Sequence, residues 1–511
     1  MSVLSLQFML FLLVLLICYY GIPVKYRWIV LLLGSYGFYL AGNWKCVFLI
    51  LFTTIQTFFA AGGINRLNCA IKELKQVEDR ELRKVQKNKL VARKKRIVAI
   101  TLVINFSLLF FFKTTYLWRE IPILLPLGIS FYTFQSVGYL IDVYRGHAEA
   151  EKNIFRYALF VSYFPQIIQG PINRYKQLAP QLYNGTVFDL QKIKMGLWLF
   201  LWGMFKKLVI SDRVSVFVNT VLGSNLQETP GSIILLGVFA FNIQLYTDFS
   251  GGIDMVQGVS AMFGIEMAEN FRRPFFSRTL AEYWRRWHIS LGTWIKDYVF
   301  YPIAMSKAFG KFGKAAKEKF GNHIGKTLPG AVTSVITFVL IGLWHDVTLQ
   351  YLLYGLWHGI ILGASTVCEP LFQMLNIRMK IKTDCMSFRW FQRGRTWMLI
   401  SIGEYFSLAA SMEKLKAMFL RTLFHFDYSA LIVALPDYSL DYKDWWVISW
   451  SLLILMFVSI KQESGVQIRR ALEGQNVLFR GVLITGLISV IMIFGVYGTG
   501  YQAGNFIYGG F

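Results

Sequence analysis

Long uncharged apolar stretches recur along most of this 511-residue chain, and they constrain its fold more than any other feature. About 20 consecutive apolar residues are enough for a helix to cross a bilayer. Inside the hydrocarbon layer only helices and closed barrels satisfy every backbone hydrogen bond. Hydropathy predicts about eleven to thirteen transmembrane or re-entrant segments. We therefore expect an all-α polytopic membrane protein, with residues 1–511 forming a single integral membrane domain.

Three stretches of the chain differ in their polar content. Residues 1–113 combine apolar spans with a strongly basic interval at 66–96, which we interpret as a cytoplasmic loop. Residues 125–366 place polar side chains among aromatics, prolines and glycines, a pattern that predicts broken helices facing protein or water. Residues 367–511 return to apolar spans. The middle stretch is where we expect the chemistry.

The formal net charge of +24 would suggest nucleic acid as the partner of a soluble protein. Here the membrane explains it better, because basic residues gather in short cytoplasmic loops and contact anionic lipid headgroups. No base-stacking module accompanies the charge, so nucleic acid is not an expected partner. Lys25 and Arg27 follow the first apolar segment, and the interval 66–96 follows the third. Both should be cytoplasmic, which predicts a multi-pass protein of the cell membrane with Met1 outside.

The sequence contains no motif for a bound metal or nucleotide. Its five cysteines are scattered and form no CxxC pair, and HExxH, GxSxG and P-loop patterns are missing. We therefore expect no bound metal or cofactor, and chemistry carried by histidine and carboxylate side chains.

His345 is the most informative of the six histidines, since it ends an uncharged apolar run that begins at Ala331. An unpaired polar group in such a run costs a few kcal/mol, which favours a functional role. His358 follows in the second of two Gly-Leu-Trp-His sequences. One unbroken helix would separate the two histidines by about 20 Å, so they can share a small reacting group only if the helix breaks or turns back. The sequence alone does not choose between them as the chief base.

His288 lies in the segment Glu282–Tyr298, where charges crowd among aromatic residues. At helical spacing Trp284 and Trp287 share one face, while Arg285 and Arg286 point elsewhere. This pattern fits an interfacial amphipathic helix with snorkelling arginines. It fits equally well a gate over a catalytic cavity, with the arginines near an anionic donor.

Six sequence blocks resemble the membrane-bound O-acyltransferases, and more closely the bacterial branch that O-acetylates alginate and peptidoglycan, with teichoic acid D-alanyl transfer as a near relative. The blocks are LPLGISFYTFQSVGYLIDVYRG (125–146), FPQIIQGPINRY (164–175), GMFKKLVISDR (203–213), YTDFSGGIDMVQG (246–258), NFRRPFFSRTLAEYWRRWHISLGTWIKDYVFYP (270–302) and the GLWHD and GLWHG pair (342–346 and 355–359). The C-terminal phrase NFIYGGF (505–511) extends the resemblance.

The resemblance implies a shell of helices around a central tunnel, with His345 as the catalytic histidine at its narrow point. His288 matches the second histidine of the family, and His358 matches a further one of less defined role. Asp346 stands where the family usually has glycine, and an acid beside the base raises its pKa or orients its ring. The residues that we expect to bind substrate or line the tunnel are Asn270, Arg272, Arg285, Arg286, Lys296, Asp297, Asp346 and His358.

The family implies an acyl thioester donor that arrives from the cytoplasm, either acetyl-CoA or an acyl carrier protein, and an acceptor hydroxyl on a surface or exported polysaccharide. Transfer proceeds directly or through an extracytoplasmic acyltransferase or esterase-like partner. D-alanyl transfer to teichoic acid is the alternative within the enzyme class. Outside it, Asp248 and Asp254 in an apolar context also suit a transporter, and a non-catalytic scaffold of a surface-polymer complex is the third hypothesis.

Overall fold

The computed structural model describes residues 2–76, 78–114, 126–497 and 506–507, and every regular element in those ranges is a helix. This confirms the predicted all-α class. Met1, Leu125 and most of the C-terminal phrase lie outside the described residues.

Six described helices are long and apolar enough to cross a membrane, which confirms a multi-pass membrane protein. They are Trp44–Gln76, Arg80–Thr114, Gly231–Met262, Asn322–His345, Tyr442–Glu463 and Val477–Phe494. A seventh span is possible if Leu349–Val367 and Glu369–Arg378, which meet at 63°, form one broken crossing. The larger number expected from hydropathy included shorter and re-entrant segments. That number and the central tunnel stay predictions.

The first of two compact units comprises the described residues within 1–203, 252–268 and 505–511, a division that does not follow the three stretches of the sequence. Its helices are α1 (Leu6–Gly21), α2 (Arg27–Asn43), α3 (Val47–Glu73), α4 (Arg80–Thr114), α5 (Ile129–Arg145), α6 (Ile154–Ser162), α7 (Phe164–Gln169), α8 (Tyr175–Asn184) and α9 (Leu190–Met204), with 3-10 turns at Val24–Tyr26, Trp44–Cys46 and Leu74–Gln76. The short α6 and α7 are the broken helices that the prolines predict. Pro165 sits in the first turn of α7, where its missing N–H leaves no hydrogen bond unmade.

The basic interval 66–96 is helical at both ends, and its placement as a cytoplasmic connection between spans stays a prediction. Helix α3 continues to Glu73, and α4 begins at Arg80 and runs on into an apolar span. Lys, Arg, Glu and Gln are good helix formers, so the α-helices extend beyond the apolar windows. Lys94 on α4 donates to Asn68 Oδ1 at 2.7 Å and to the Tyr144 carbonyl at 2.7 Å, which ties the basic half of α4 to its neighbours.

The second unit comprises the described residues within 204–251 and 269–504 and carries the candidate site residues. Its helices are α10 (Asp212–Gly223), α11 (Gly231–Met262, whose last residues belong to the first unit), α12 (Leu280–Arg286), α13 (Ile289–Ile295), α14 (Tyr301–Ala304), α15 (Lys307–Phe320), α16 (Asn322–His345), α17 (Leu349–Val367), α18 (Glu369–Arg378), α19 (Met386–Leu408), α20 (Met412–Phe424), α21 (Ala430–Val433), α22 (Tyr442–Glu463), α23 (Ile468–Glu473) and α24 (Val477–Phe494). Short π-helical segments occupy Phe205–Ser211 and Lys296–Phe300, and 3-10 turns occupy Pro274–Phe276 and Leu435–Asp437.

Helices α16 and α17 form a close antiparallel hairpin with glycines at the contact. A Cβ atom on Gly359 would lie 2.7 Å from Val335 Cα, and one on Gly355 would lie 2.8 Å from Val339 Cα. Real Cβ atoms do not approach other atoms so closely, so the backbones meet only because no side chain stands between them. Small residues allow the same close approach in membrane helices generally.

A buried ion cluster lies near the start of the second unit. Lys207 Nζ is 2.6 Å from Asp248 Oδ1 and 2.8 Å from Asp212 Oδ1, and all three side chains are at most 4% exposed. Lys206 Nζ donates to Ser250 Oγ at 2.9 Å. Asp248, which the transporter hypothesis singled out, is therefore held in an ion pair within the protein.

Candidate functional site

His288 sits at a break between two short helices, so Glu282–Tyr298 is not one amphipathic helix as the periodicity suggested. Helix α12 ends at Arg286, His288 has a left-handed backbone (φ 44°), and α13 begins at Ile289. A left-handed non-glycine residue costs about 1–3 kcal/mol and persists only where the surroundings hold it. Two backbone hydrogen bonds of 2.9 Å do so: Arg272 N–H donates to the Arg286 carbonyl, and Ile289 N–H to the Asn270 carbonyl.

Asn270 fixes the direction of the His288 ring. Its Oδ1 is 3.0 Å from His288 Nδ1, and it accepts hydrogen bonds from Ser290 N at 3.2 Å and Ser290 Oγ at 2.8 Å. Phe249 meets the imidazole edge-on, with ring centroids 4.8 Å apart. His288 and Asn270 are 4% and 1% exposed, so the pair is shielded from solvent.

His345 and His358 are brought toward each other because the chain turns back after residue 345. His345 is the last residue of α16, and Thr348 caps the start of α17. Tyr354 lies between the two histidines, with ring centroids 6.3 Å from His345 and 4.6 Å from His358. Tyr351 stacks on His345 at 5.8 Å and an interplanar angle of 18°. The helix therefore breaks after His345, which is the geometry that the two histidines need in order to approach one reacting group.

The three histidines differ in their exposure. The His345 side chain is partly exposed, whereas His358 is fully buried. Within the described part of the chain, neither ring nitrogen of His358 has a hydrogen-bond partner. Its contacts are aromatic: Trp284 meets its ring edge-on at 5.0 Å.

A continuous series of rings joins the surroundings of His358 to those of His288. Trp284 contacts His358, Tyr283 lies 5.4 Å from Trp284, and Trp287 stacks on Tyr283 at 5.6 Å. Residues 283–288 thus form a bridge between the hairpin of α16 and α17 and the segment that holds Asn270.

The other candidate residues are more scattered. Arg272 is paired with Glu269, which raises the pKa of its guanidinium. Arg285 and Lys296 are exposed, and the Lys296 ammonium lies 5.5 Å from the Tyr301 ring centroid. Asp297 is half-buried in the second π-helical segment.

Two further candidates make contacts that the sequence did not predict. Asp346 caps α16, and its Oδ1 accepts a hydrogen bond from Val347 N–H at 2.8 Å. Arg286 donates to Glu282 at 2.7 Å and to Glu463 at 3.0 Å, so its guanidinium is engaged by carboxylates of this chain.

Sequence reasoning missed four residues that define these surroundings: Tyr351, Tyr354, Phe249 and Glu463. Tyr354 and His358 are separated by one helical turn, a spacing that predicts a shared face once α17 is recognised as a helix. For Phe249 and Glu463 no local signal exists, because they reach the site from distant helices.

The described residues contain no group of three or more His, Cys, Asp or Glu side chains placed to share a metal ion. The described groups near the hairpin that are able to accept or hold a proton are imidazoles, tyrosine hydroxyls and the carboxylates of Asp346 and Glu404. An imidazole suits general base catalysis at neutral pH.

In a comparison with known protein families, residues 147–317 match the membrane-bound O-acyltransferase family. That segment includes Asn270 and His288 and ends before His345. The chain is 34% identical over 343 residues to a probable alginate O-acetylase AlgI of Pseudomonas fluorescens, covering 67% of this chain and 61% of that protein.

Two further relatives differ in their named acceptors. A peptidoglycan O-acetyltransferase of Helicobacter pylori is 30% identical over 294 residues, which are 50% of this chain and 52% of that protein. A teichoic acid D-alanyltransferase of Bacillus subtilis is 29% identical over 269 residues, 50% of this chain and 61% of that protein. The matched region thus spans between half and two thirds of the length of these relatives.

Proposed function

This chain belongs to the membrane-bound O-acyltransferase family, and we propose that it moves an acyl group, most simply acetyl, from a thioester donor to hydroxyls of a cell-surface or exported polysaccharide. The named relatives support this class, since two of the three transfer or add acetyl groups to polymers by their names. The donor in this proposal is acetyl-CoA or another acyl thioester on the cytoplasmic side.

The observation that carries the proposal is the accessibility of His345. A base that exchanges protons with a substrate must be reachable, and His345 is partly exposed at the end of an apolar helix long enough to span the membrane. His288 and His358 are 4% and 0% exposed. We therefore assign the role of base to His345, and to His288 a supporting role through its contact with Asn270.

The chemistry proceeds by general base catalysis. An imidazole nitrogen of His345 accepts the proton of the acceptor hydroxyl while its oxygen attacks the thioester carbonyl carbon. The tetrahedral intermediate then expels the thiolate, which takes the proton from the imidazolium, so an ester and a free thiol form. A positioned histidine typically contributes about 10²–10⁴-fold to such a step.

We infer the orientation of the chain from its charge. The basic N-terminal half of α4 and the basic residues after α1 favour the cytoplasmic side, which puts the N-terminus outside. Acyl groups would then cross the membrane to reach the polymer, directly or through an extracytoplasmic acyltransferase or esterase-like partner.

The experiment is mass analysis of surface glycans from cells that carry the wild-type chain, His345→Ala or His425→Ala at equal protein level. His425 is exposed and serves as the matched control. We expect His345→Ala to lose O-acetyl groups and His425→Ala to keep them. Unchanged O-acetylation in His345→Ala would favour the scaffold hypothesis, and loss of D-alanine esters would move the assignment to D-alanyl transfer.

A further inference from the structure

Two segments of the second unit lie side by side and carry the strained backbone of the site. In 270–273 the residue Arg273 is left-handed (φ 46°), and in 286–290 the residue His288 is left-handed (φ 44°). The two hydrogen bonds described above pair these segments directly. Neither segment is part of a long helix, so they are held together by the Asn270 side-chain bonds to His288 and Ser290 and by contacts from a third element.

Glu463 at the C-terminal end of α22 supplies those contacts. Its carboxylate accepts hydrogen bonds from Arg273 Nε at 2.6 Å and from Arg286 Nη1 and Nη2 at 3.0 Å. Arg286 Nη1 also lies 3.5 Å from the Arg273 carbonyl. We call Arg273, Arg286 and Glu463 the arginine clamp. The clamp joins one arginine from each of the two paired segments to helix α22.

The side chains of the arginine clamp are shielded enough from solvent for their ion pairs to contribute to stability. The three side chains are 19–27% exposed, and fork-shaped arginine–carboxylate contacts with several hydrogen bonds are the strong kind of ion pair. Within the clamp, Arg286 lies two residues before His288, and Arg273 lies three residues after Asn270. A change in the spacing of the arginines therefore acts on the pairing between the His288 ring and the Asn270 amide.

We propose that Glu463 is a positioning residue, which holds the paired segments so that His288 keeps its contact with Asn270. Glu463 lies outside the family-matched segment 147–317, so the reacting region depends on a helix near the C-terminus. The effect on transfer rests on the proposed function, whereas the effect on His288 does not.

The test is the rate at which diethyl pyrocarbonate modifies His288 in the purified full-length protein, read by peptide mass spectrometry. In the wild type His288 is shielded, and Glu463→Gln should raise its modification several-fold while that of His425 stays constant. The matched control is Glu413→Gln, an exposed acid in the first turn of α20. Glu463→Asp keeps the charge and should restore most of the shielding.

A second variant distinguishes the loss of positioning from a general folding defect. Arg273→Gln removes one arm of the clamp and leaves the contact between Arg286 and Glu463, so His288 modification should rise less than in Glu463→Gln. In membrane vesicles with acetyl-CoA as the probe, Glu463→Gln should lower the rate at saturating donor without raising KM.

The outcomes separate the two proposals. Equal His288 modification in wild type, Glu463→Gln and Arg273→Gln would overturn the positioning role whatever the transfer activity. Raised modification supports it even if the wild-type protein transfers no acetyl group, a result that would refute the proposed function alone.

Discussion

The hairpin of α16 and α17 depends on Gly355, and filling that position should separate the two helices. A Cβ there would overlap the Phe338 carbonyl oxygen and lie 2.8 Å from Val339 Cα, whereas ordinary contacts begin at 3.4 Å. Backbone atoms cannot rotate away, so the helices must move apart by at least about 0.6 Å, and close-packed interiors resist such shifts. We expect Gly355→Val to destabilise the protein by about 1–3 kcal/mol through overpacking.

The matched control is Gly330→Val on α16, where an added Cβ meets nothing within 4 Å. Both changes place valine in a helix, so the difference between the variants isolates the packing term from helix propensity. Thermal unfolding in detergent, followed by tryptophan fluorescence, compares the two, with a lower midpoint expected for Gly355→Val.

Activity gives a second measure of the same change. Tyr354 precedes Gly355 and contacts both hairpin histidines, so the shift alters the surroundings of His345. A misplacement of about 1 Å can cost about 10²-fold in rate, so under the proposed function surface O-acetylation should fall strongly in Gly355→Val. Equal midpoints and equal O-acetylation in the two variants would refute the reasoning.

Three further changes test other parts of the second unit by the same unfolding assay. Lys207→Met removes the cation from two buried carboxylates and should lower the free energy of unfolding by about 3–5 kcal/mol. The control Lys314→Met, on exposed α15, should change it by less than about 0.5 kcal/mol. Equal unfolding midpoints for the two variants would contradict the buried ion cluster. Gly403→Ala would put a Cβ 2.6 Å from the Nε2 atom of His358 and should cost about 1–3 kcal/mol relative to Gly394→Ala, where the space is open. His358→Leu removes a buried imidazole that lacks hydrogen-bond partners among the described residues. The unfolding midpoint of this variant should therefore equal or exceed that of the wild type. A clear drop in the midpoint would show that polar contacts hold the ring.

The sequence predicted the class of fold because long apolar segments leave a membrane protein few alternatives. The prediction of one continuous helix was wrong for residues 282–298, where the helical periodicity is real but the helix breaks at His288. No glycine or proline marks the break. It arises from non-local pairing with residues 270–272, which no local pattern reports. The helices at both ends of the basic interval 66–96 were not predicted either, since charge indicates exposure and says nothing for or against a helix.

The histidines illustrate what sequence and structure each contribute. The spacing of His345 and His358 left two geometries open, and only the turn after residue 345 brings both rings to Tyr354. Burial then separates their roles, because an imidazole that exchanges protons with a substrate must be reached, and full burial of His358 opposes that. His288 is also buried, yet its Nδ1 is directed at Asn270, which suits a ring held for orientation. The proposed transfer therefore rests on His345, the one of these three histidines that is partly exposed.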